Sequence, residues 1–543
     1  MLTQRERILP PYTRRVDDTP HRLRRVILYA LLILFAMLMG FFIAVLPIQA
    51  VFIPITPIVL LFLVALWMAP DVDPQLDNSI IGGYFVFFYV ALIWPNYIAF
   101  NLPGLPWVSL QRLVMFFVLG LGLYALASSS RMRGEVKEVL TSQTLMFRLF
   151  VAWVVLQLIM ELVTGGTTMT RWIHYQIVWN FLFLISAWVH CRPGMPVRLH
   201  NAILIGCAIT AAITIPELWN ERPIWADNIP AFLGVDPTML SILQSTQGRS
   251  GDGLYRARSI YMTSVNYAEF ISVFLPFVLH AVMTAKTPVI RVLAILLLAL
   301  LFVAALLSNA RSAMVGFIVG IPFFAAIWAV RRFKTGASER DIIGPASVWA
   351  MPVAGLVVAA AVLFIGRVRV RVLGGGQHQA SNDGRGAQWD MALPEIFKNP
   401  FGYGVDMAGE IVPFTNLAGV PTIDAYPINL LIDYGVLGFL LFVGLFITAI
   451  VVGVRSYWRA ENDDEMIAGP AAGAIMGFLV SRLILSAEGA QFIAFALAGM
   501  ILAIHWRQEQ RAAANAPMQK PALPPRYPLP PRASPALTLG SSR

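Results

Sequence analysis

Residues 292–307 read VLAILLLALLFVAALL, sixteen apolar side chains in a row. A helix needs about 20 predominantly apolar residues to cross the hydrocarbon core of a bilayer. With its flanking residues, this run therefore predicts a membrane-spanning helix over 290–308. Because apolar runs of similar length recur along the chain, the sequence predicts an all-α polytopic membrane protein.

The composition of the whole chain agrees with this prediction. Of its 543 residues, 58% are hydrophobic and only 13% are charged, whereas about a quarter of the residues in soluble domains are charged. A chain this apolar could not keep its surface in water, so soluble classes of protein are excluded. The apolar runs predict about fourteen spans. They cover 27–47, 50–69, 79–95, 110–128, 145–163, 172–190, 199–217, 265–285, 290–308, 312–330, 347–366, 428–453, 466–483 and 486–506.

The distribution of positive charge predicts the orientation. Seven arginines lie in the first 25 residues, and six basic residues lie in 507–543. Since Lys and Arg accumulate on the cytoplasmic side, both termini are expected there. The chain then divides into a basic tail (1–26), a transmembrane domain (27–506) and a proline-rich tail (507–543) that we expect to be disordered. Charge gathered in tails beside apolar helices favours contact with anionic lipids over nucleic-acid binding.

Two predicted outer segments, 218–264 and 367–427, are much longer than ordinary connections, and loops of this length are usually functional. Ionisable residues inside a membrane are costly and usually functional as well. Those near the outer ends of the predicted spans are Glu161, Glu217, Glu269, Arg311, Asp433, Arg482 and Glu488. The sequence therefore predicts binding or chemistry at the outer face, beneath the two long segments.

Four segments of the chain, taken in order, resemble one family. Residues 256–269 read RARSIYMTSVNYAE, and residues 306–313 read LLSNARSA. Residues 385–404 begin with Arg385 and end in NPFGYG, and residues 429–439 read NLLIDYGVLGF. This order is similar to that of the O-antigen ligase and polymerase superfamily of bacterial envelope glycosyltransferases.

The resemblance implies a fold, a reaction and a location. Members have a membrane-embedded glycosyltransferase-type fold and act at the periplasmic face of the inner membrane, which would make both long segments periplasmic loops. They transfer a glycan from undecaprenyl pyrophosphate to an acceptor hydroxyl without a metal or another cofactor. The implied partners are the lipid-linked donor, the glycan acceptor, membrane lipids and proteins that control chain length or export.

Two departures from the family pattern bear on the reaction. Ser259 stands where glycine is usual, and Asp424 stands where ligases carry histidine. The second departure favours a polymerase of exopolysaccharide, capsule or O-antigen repeat units over a ligase that transfers glycan to lipid A-core. The ligase remains an alternative. A lipid-linked glycan flippase or exporter is a further alternative, although it would need a central polar cavity, and a non-catalytic scaffold of an export complex is another.

The resemblance also implies which residues bind the donor. Arginine suits a pyrophosphate leaving group because it stays charged and offers two parallel N–H donors. Arg256 and Arg385 match the family arginines of the two long loops, so they are expected to bind the donor pyrophosphate, and Arg258 and Arg311 are expected to assist. The alternatives are a surface arginine paired with a loop carboxylate and, for Arg311, a side chain that caps two helix ends.

The acceptor hydroxyl needs a group that takes its proton. Asp424, beside the outer mouth of the span at 428–453, is the predicted general base. The alternative is an aspartate that merely favours the start of the helix by its charge. Possible supporting residues are His378, which could act as a different base, and Glu269 and Asp433, each about one turn inside a predicted span.

The predicted orientation has a direct test. A reporter fused after Gly375 should read as periplasmic, and one fused at Ala512 should read as cytoplasmic, because the positive charges hold both tails inside. Opposite readings of the two fusions would place both long loops in the cytoplasm and contradict the predicted site.

Overall fold

The computed structural model describes residue 37 and the ranges 75–100, 108–164, 179–230, 232–235, 255–335, 343–366, 369, 379–415, 423–483 and 489–515. Apart from residue 37, the predicted spans 27–47 and 50–69 lie outside the described residues, as do the basic N-terminal tail, residues 516–543 of the proline-rich tail and His378.

The described residues are mostly helical. The helices are α1 (Asp77–Ile93), α2 (Leu110–Ser128), α3 (Ser130–Thr141), α4 (Thr144–Val163), α5 (Phe181–His190), α6 (Met195–Asn220), α7 (Ser264–Thr284), α8 (Pro288–Leu307), α9 (Arg311–Thr335), α10 (Ile343–Phe364), α11 (Gln379–Lys398), α12 (Ala408–Ile411), α13 (Tyr426–Trp458), α14 (Asp463–Met466), α15 (Ala468–Arg482) and α16 (Gln491–Asn515). The strands are β1 (Ile98–Phe100), β2 (Val108–Ser109) and β3 (Leu233–Val235).

Seven of the described helices are long and apolar enough to cross a membrane: α2, α4, α6, α7, α8, α13 and, from Gly316, α9. The chain is thus a helical polytopic membrane protein, as the sequence predicts. The number fourteen stays a prediction, because helices such as α5 and α15, with 10 and 15 residues, are shorter than a full span.

The helices at the centre and the edge of the bundle differ in burial. The apolar window of α7 is 83% buried, whereas that of α8 is only 22% buried. α7 packs against α8, α9 and α15, and α15 packs in turn against α13. The leucine-rich run at 292–307, in α8, therefore lies at the periphery of the bundle, where an apolar surface suits lipid.

A small antiparallel sheet, which the sequence does not predict, pairs a strand of the first outer segment with two strands between α1 and α2. Its strand order is β2-β1-β3, and Ala99 pairs with both Ser109 and Gly234. Strands of two or three residues are too short to show the alternation of apolar and polar side chains that marks a strand.

The second outer segment contains another unpredicted element, the 20-residue helix α11. Its sequence, QASNDGRGAQWDMALPEIFK, is polar and includes Pro394, so it shows no apolar stripe. Ala392 and Ile396 nevertheless pack with Ile423 and Ile428, which flank the start of α13. Tertiary packing rather than local propensity therefore stabilises α11.

The NPFGYG turn docks into a break in α13. Gly435 has φ +68°, in the left-handed region, and this conformation interrupts the helix. Backbone N–H groups of the turn form hydrogen bonds with the carbonyl groups just before the break. Tyr403 N donates to Ile432 O at 2.7 Å, and Gly404 N donates to Asp433 O at 3.0 Å. Two motifs that are thirty residues apart in the sequence thereby form one rigid unit.

This docking makes Gly435 specifically sensitive to substitution. A Cβ atom at Gly435 would lie 2.4 Å from Pro400 O and from the carbonyl carbon of Phe401. We expect Gly435→Ala to lower the free energy of unfolding by roughly 2–5 kcal/mol, through backbone strain and this clash. Gly444→Ala, in the same helix, is the matched control, because its Cβ would meet only the Leu149 side chain at 3.8 Å. Equal thermal unfolding of the two purified variants would contradict the docking.

Candidate functional site

Arg256 lies in an extended segment just before α7 and is bonded to the turn between α8 and α9. Its Nε donates to Ser308 O at 3.3 Å, and its guanidinium also donates to Asn309 O. Arg311 is the first residue of α9, directly after that turn. The structure thus brings together the segments of two predicted donor-binding residues, Arg256 and Arg311.

A buried carboxylate fixes the conformation of this arginine segment. Glu217, near the end of α6, is fully buried. It accepts hydrogen bonds from Tyr255 Oη at 2.6 Å, from Arg258 N at 3.0 Å and from Ser259 N at 2.6 Å. Burial raises the pKa of Tyr255, and the neighbouring Glu217 carboxylate raises it further, so the phenol remains a donor. Glu217 is therefore an anchor for Arg258 and its neighbours.

The residue that departs from the family glycine adopts a backbone conformation that favours glycine. Ser259 has φ +52°, a region that residues with a side chain seldom adopt. Its Oγ donates to Thr210 O in α6 at 2.7 Å. This hydrogen bond offsets part of the backbone cost, which is how serine is accommodated here.

Arg385 and Asp424 are joined through α11. Arg385 is half-buried on this helix, and Gln388, one turn later, is fully buried. Gln388 Oε1 accepts a hydrogen bond from Asp424 N at 2.9 Å. Asp424 is half-buried just before α13, whose N-cap residue is Ala425 and whose N-terminus has no side-chain capping bond. The backbone of Asp424 is therefore bonded to α11, and Asp424 does not occupy the capping position.

Asp433 has a clear architectural contact. Its side chain is 9% exposed, and its Oδ1 accepts a hydrogen bond from Ala408 N at 2.8 Å. Together with the bond from Gly404 to its carbonyl group, this contact holds the turn and α12 against α13. The supporting role in the site that the sequence predicts for Asp433 stays a prediction.

A buried ion pair links the two halves of the candidate site. Glu269 in α7 pairs with Arg482 at the end of α15, and their side chains are 0% and 3% exposed. The Arg482 guanidinium also lies 5.3 Å from the ring centroid of Tyr426 and 4.8 Å from that of Phe478. Tyr426 is two residues past Asp424, so the pair connects the helix after Arg256 with the helix after Asp424.

The predicted site residues that the structure describes therefore lie at one end of the bundle. Arg256, Arg258, Arg385, Asp424, Glu269 and Asp433 have described side chains there, whereas Arg311 is described in its backbone only and His378 lies outside the described residues. Sequence reasoning missed the roles of Glu217, Gln388 and Arg482 in the site. For Glu217 and Arg482 the signal was available: a lone charge at the end of an otherwise apolar span.

Comparison with known proteins identifies part of the chain. Residues 295–443 match the family model described as O-antigen ligase. The matched segment runs from α8 into α13, so it includes Arg311, Arg385 and Asp424 but ends before Arg482. A search of the curated proteins gave no match to the chain. The family match confirms the resemblance drawn from the sequence motifs.

The Glu269–Arg482 pair gives a test that separates folding from function. Arg482→Leu should lower the free energy of unfolding by about 3–5 kcal/mol, because it leaves the Glu269 charge buried without its cation. Adding Glu269→Gln should restore most of that loss, since the buried charge is then removed as well. If the pair positions the site, the double variant should be stable in a thermal melt and still lose most glycan-transfer activity in cells. A stable double variant with normal glycan transfer would contradict the positioning role.

Proposed function

We propose that this chain, which carries an O-antigen ligase domain at residues 295–443, polymerises glycan repeat units that are linked to undecaprenyl pyrophosphate. The polymer would be an exopolysaccharide, a capsule or an O-antigen. The observation that carries the proposal is the buried Glu269–Arg482 pair, which connects the helix that follows the Arg256 segment with the start of α13, next to Asp424.

The arginines would bind the donor. As the glycosyl bond breaks, negative charge develops on the pyrophosphate, and preorganised cations stabilise it best when they need no rearrangement. Arg256 and Arg258 lie on a segment fixed by Glu217 and by the turn before α9. Arg385 approaches from α11. Two independently anchored segments could thus contact two phosphates without moving.

Asp424 would activate the acceptor. In the proposed reaction an acceptor hydroxyl attacks the anomeric carbon of the donor glycan, its proton passes to the Asp424 carboxylate, and the bond from that carbon to the pyrophosphate oxygen breaks. Undecaprenyl pyrophosphate leaves with the bonding electrons. This substitution changes no oxidation state, so it needs no oxidant or reductant. The arginines would supply the positive charge that stabilises the pyrophosphate as it leaves.

The aspartate at position 424 supports a polymerase over a ligase, because the resemblance assigns histidine to that place in ligases. The description of the matched family supports transfer to lipid A-core as the second candidate. A lipid-linked glycan flippase or exporter is the further alternative.

The proposed setting follows from the same reading. The chain would lie in a bacterial inner membrane with both termini in the cytoplasm, and the two long outer segments would face the periplasm. Its partners would be the lipid-linked donor, the glycan acceptor, membrane lipids and proteins that set chain length or export the product.

Asp424→Asn tests the catalytic assignment. Asparagine keeps the size of the side chain and the backbone N–H that bonds Gln388, but it removes the basic carboxylate. Turnover should fall by about 10²–10⁴, the usual effect of losing a general base. Cells that carry only this variant should accumulate lipid-linked repeat units and make little long polymer, as measured by glycan electrophoresis and lipid extraction.

Arg385→Ala is the matched comparison, and Arg222→Ala is the control. The first should weaken binding of the lipid-linked donor, while Asp424→Asn should leave that binding intact. Arg222 is a surface residue of the same face, 48% exposed and paired with Asp227, so its loss should leave polymer length normal. Long polymer of normal length from the Asp424→Asn strain would remove Asp424 from the mechanism.

A further inference from the structure

A small cavity adjoins the arginine segment at the outer ends of α1, α2, α7 and α16. Its volume is about 30 Å³, and its lining includes Trp94, Tyr261, Asn266 and Gly489. A space of roughly 10–15 Å³ holds one water molecule. The cavity can therefore take a hydroxyl or hydroxymethyl group, but a whole sugar ring would not fit.

Three residues in the cavity wall carry buried polar atoms that have no hydrogen-bond partner among the described residues: Trp94 Nε1, Tyr261 Oη and Asn266 Oδ1. Buried polar groups in native proteins are nearly always bonded, so each exception needs an explanation. Three such atoms in the wall of one cavity would be satisfied by water or by a hydroxyl group that enters it.

The chemistry of these three atoms matches a hydroxyl group. A hydroxyl offers one proton and two lone pairs. The indole N–H of Trp94 and the phenol O–H of Tyr261 can donate to the lone pairs, and the amide oxygen of Asn266 can accept the proton. The remaining wall is mostly apolar and includes Ile260, Phe270 and Ile493, and the amide residues Asn96 and Gln111 also line it.

The cavity borders residues of the candidate site. Tyr261 lies five residues after Arg256 in the same segment. A Cβ atom at Gly489 would lie 3.5 Å from Glu269 Oε2 and 3.8 Å from Asn266 Nδ2. The cavity thus borders the Glu269–Arg482 pair, on the side of the bundle that carries the donor-binding arginines.

We propose that this cavity is a specificity subsite that binds one hydroxyl or hydroxymethyl group of the glycan. The inference rests on the proposed function. It assigns Trp94, Tyr261 and Asn266 the recognition of the sugar, a role distinct from that of the arginines. Such a site rejects a sugar that lacks the hydroxyl, because its own polar groups are then left unpaired.

The test uses the full chain in lipid nanodiscs and, as substrate, lipid-linked glycan extracted from cells that lack the protein. Gly489→Ala adds a methyl group to the cavity at ordinary contact distances, so it should raise KM at least about tenfold by excluding the hydroxyl. Tyr261→Phe removes one donor and keeps the ring stacked on Tyr267. It should raise KM about fivefold, and both variants should keep kcat within about twofold.

Gly82→Ala is the control, because its Cβ would meet nothing within 4 Å. An unchanged KM in Gly489→Ala, or in Tyr261→Phe if the first variant fails to fold, would overturn the subsite while the proposed function stands. Wild-type protein that does not consume the extracted glycan would overturn both. A normal KM with a kcat reduced more than tenfold would assign these residues to structure and also overturn the subsite.

Discussion

The burial of the Glu269–Arg482 ion pair is the constraint on which the rest of this end of the bundle depends. Both side chains are almost completely buried, and neither charge could remain there without the other. Since Glu269 belongs to α7 and Arg482 to α15, the pair fixes the relative positions of these helices. Arg482 also lies against the ring of Tyr426, at the start of α13. Three helices that carry site residues are thereby held in one arrangement, and such a pair contributes specificity of position more than net stability.

A second constraint acts through the backbone and places Asp424. The break at Gly435 frees carbonyl groups in α13, and the NPFGYG turn bonds to them. That turn follows α11, so the docking of the turn also sets where α11 packs. Gln388 on α11 then holds the backbone of Asp424. The place of the proposed base thus depends on the backbone bonds between the turn and α13 and on the bond from Asp424 N to Gln388, none of which uses a charged side-chain group.

Sequence alone predicted the long apolar helices well and the outer elements poorly. The prediction for 110–128 coincides with α2, and that for 265–285 differs from α7 by one residue at each end, because burial in lipid demands an apolar run of fixed length. α11 was missed because its stability comes from a contact with residues thirty positions later. The motif residues Arg256, Arg385 and Asp424 were found, but the pairing of Glu269 with Arg482 was not, since a distance of 213 positions leaves no local pattern.

Of the four carboxylates considered at this end of the bundle, three belong to buried residues and one belongs to a half-buried residue. Glu217 and Asp433 accept hydrogen bonds from backbone N–H groups, and Glu269 neutralises an arginine. Each of the three is at most 9% exposed, so each carries a structural contact that a reaction cycle would disrupt. Asp424 differs in exposure, because it is half-buried, and its backbone N–H bonds to Gln388 on α11. A general base must be within reach of the hydroxyl whose proton it takes, and among these four carboxylates that of Asp424 belongs to the most exposed residue.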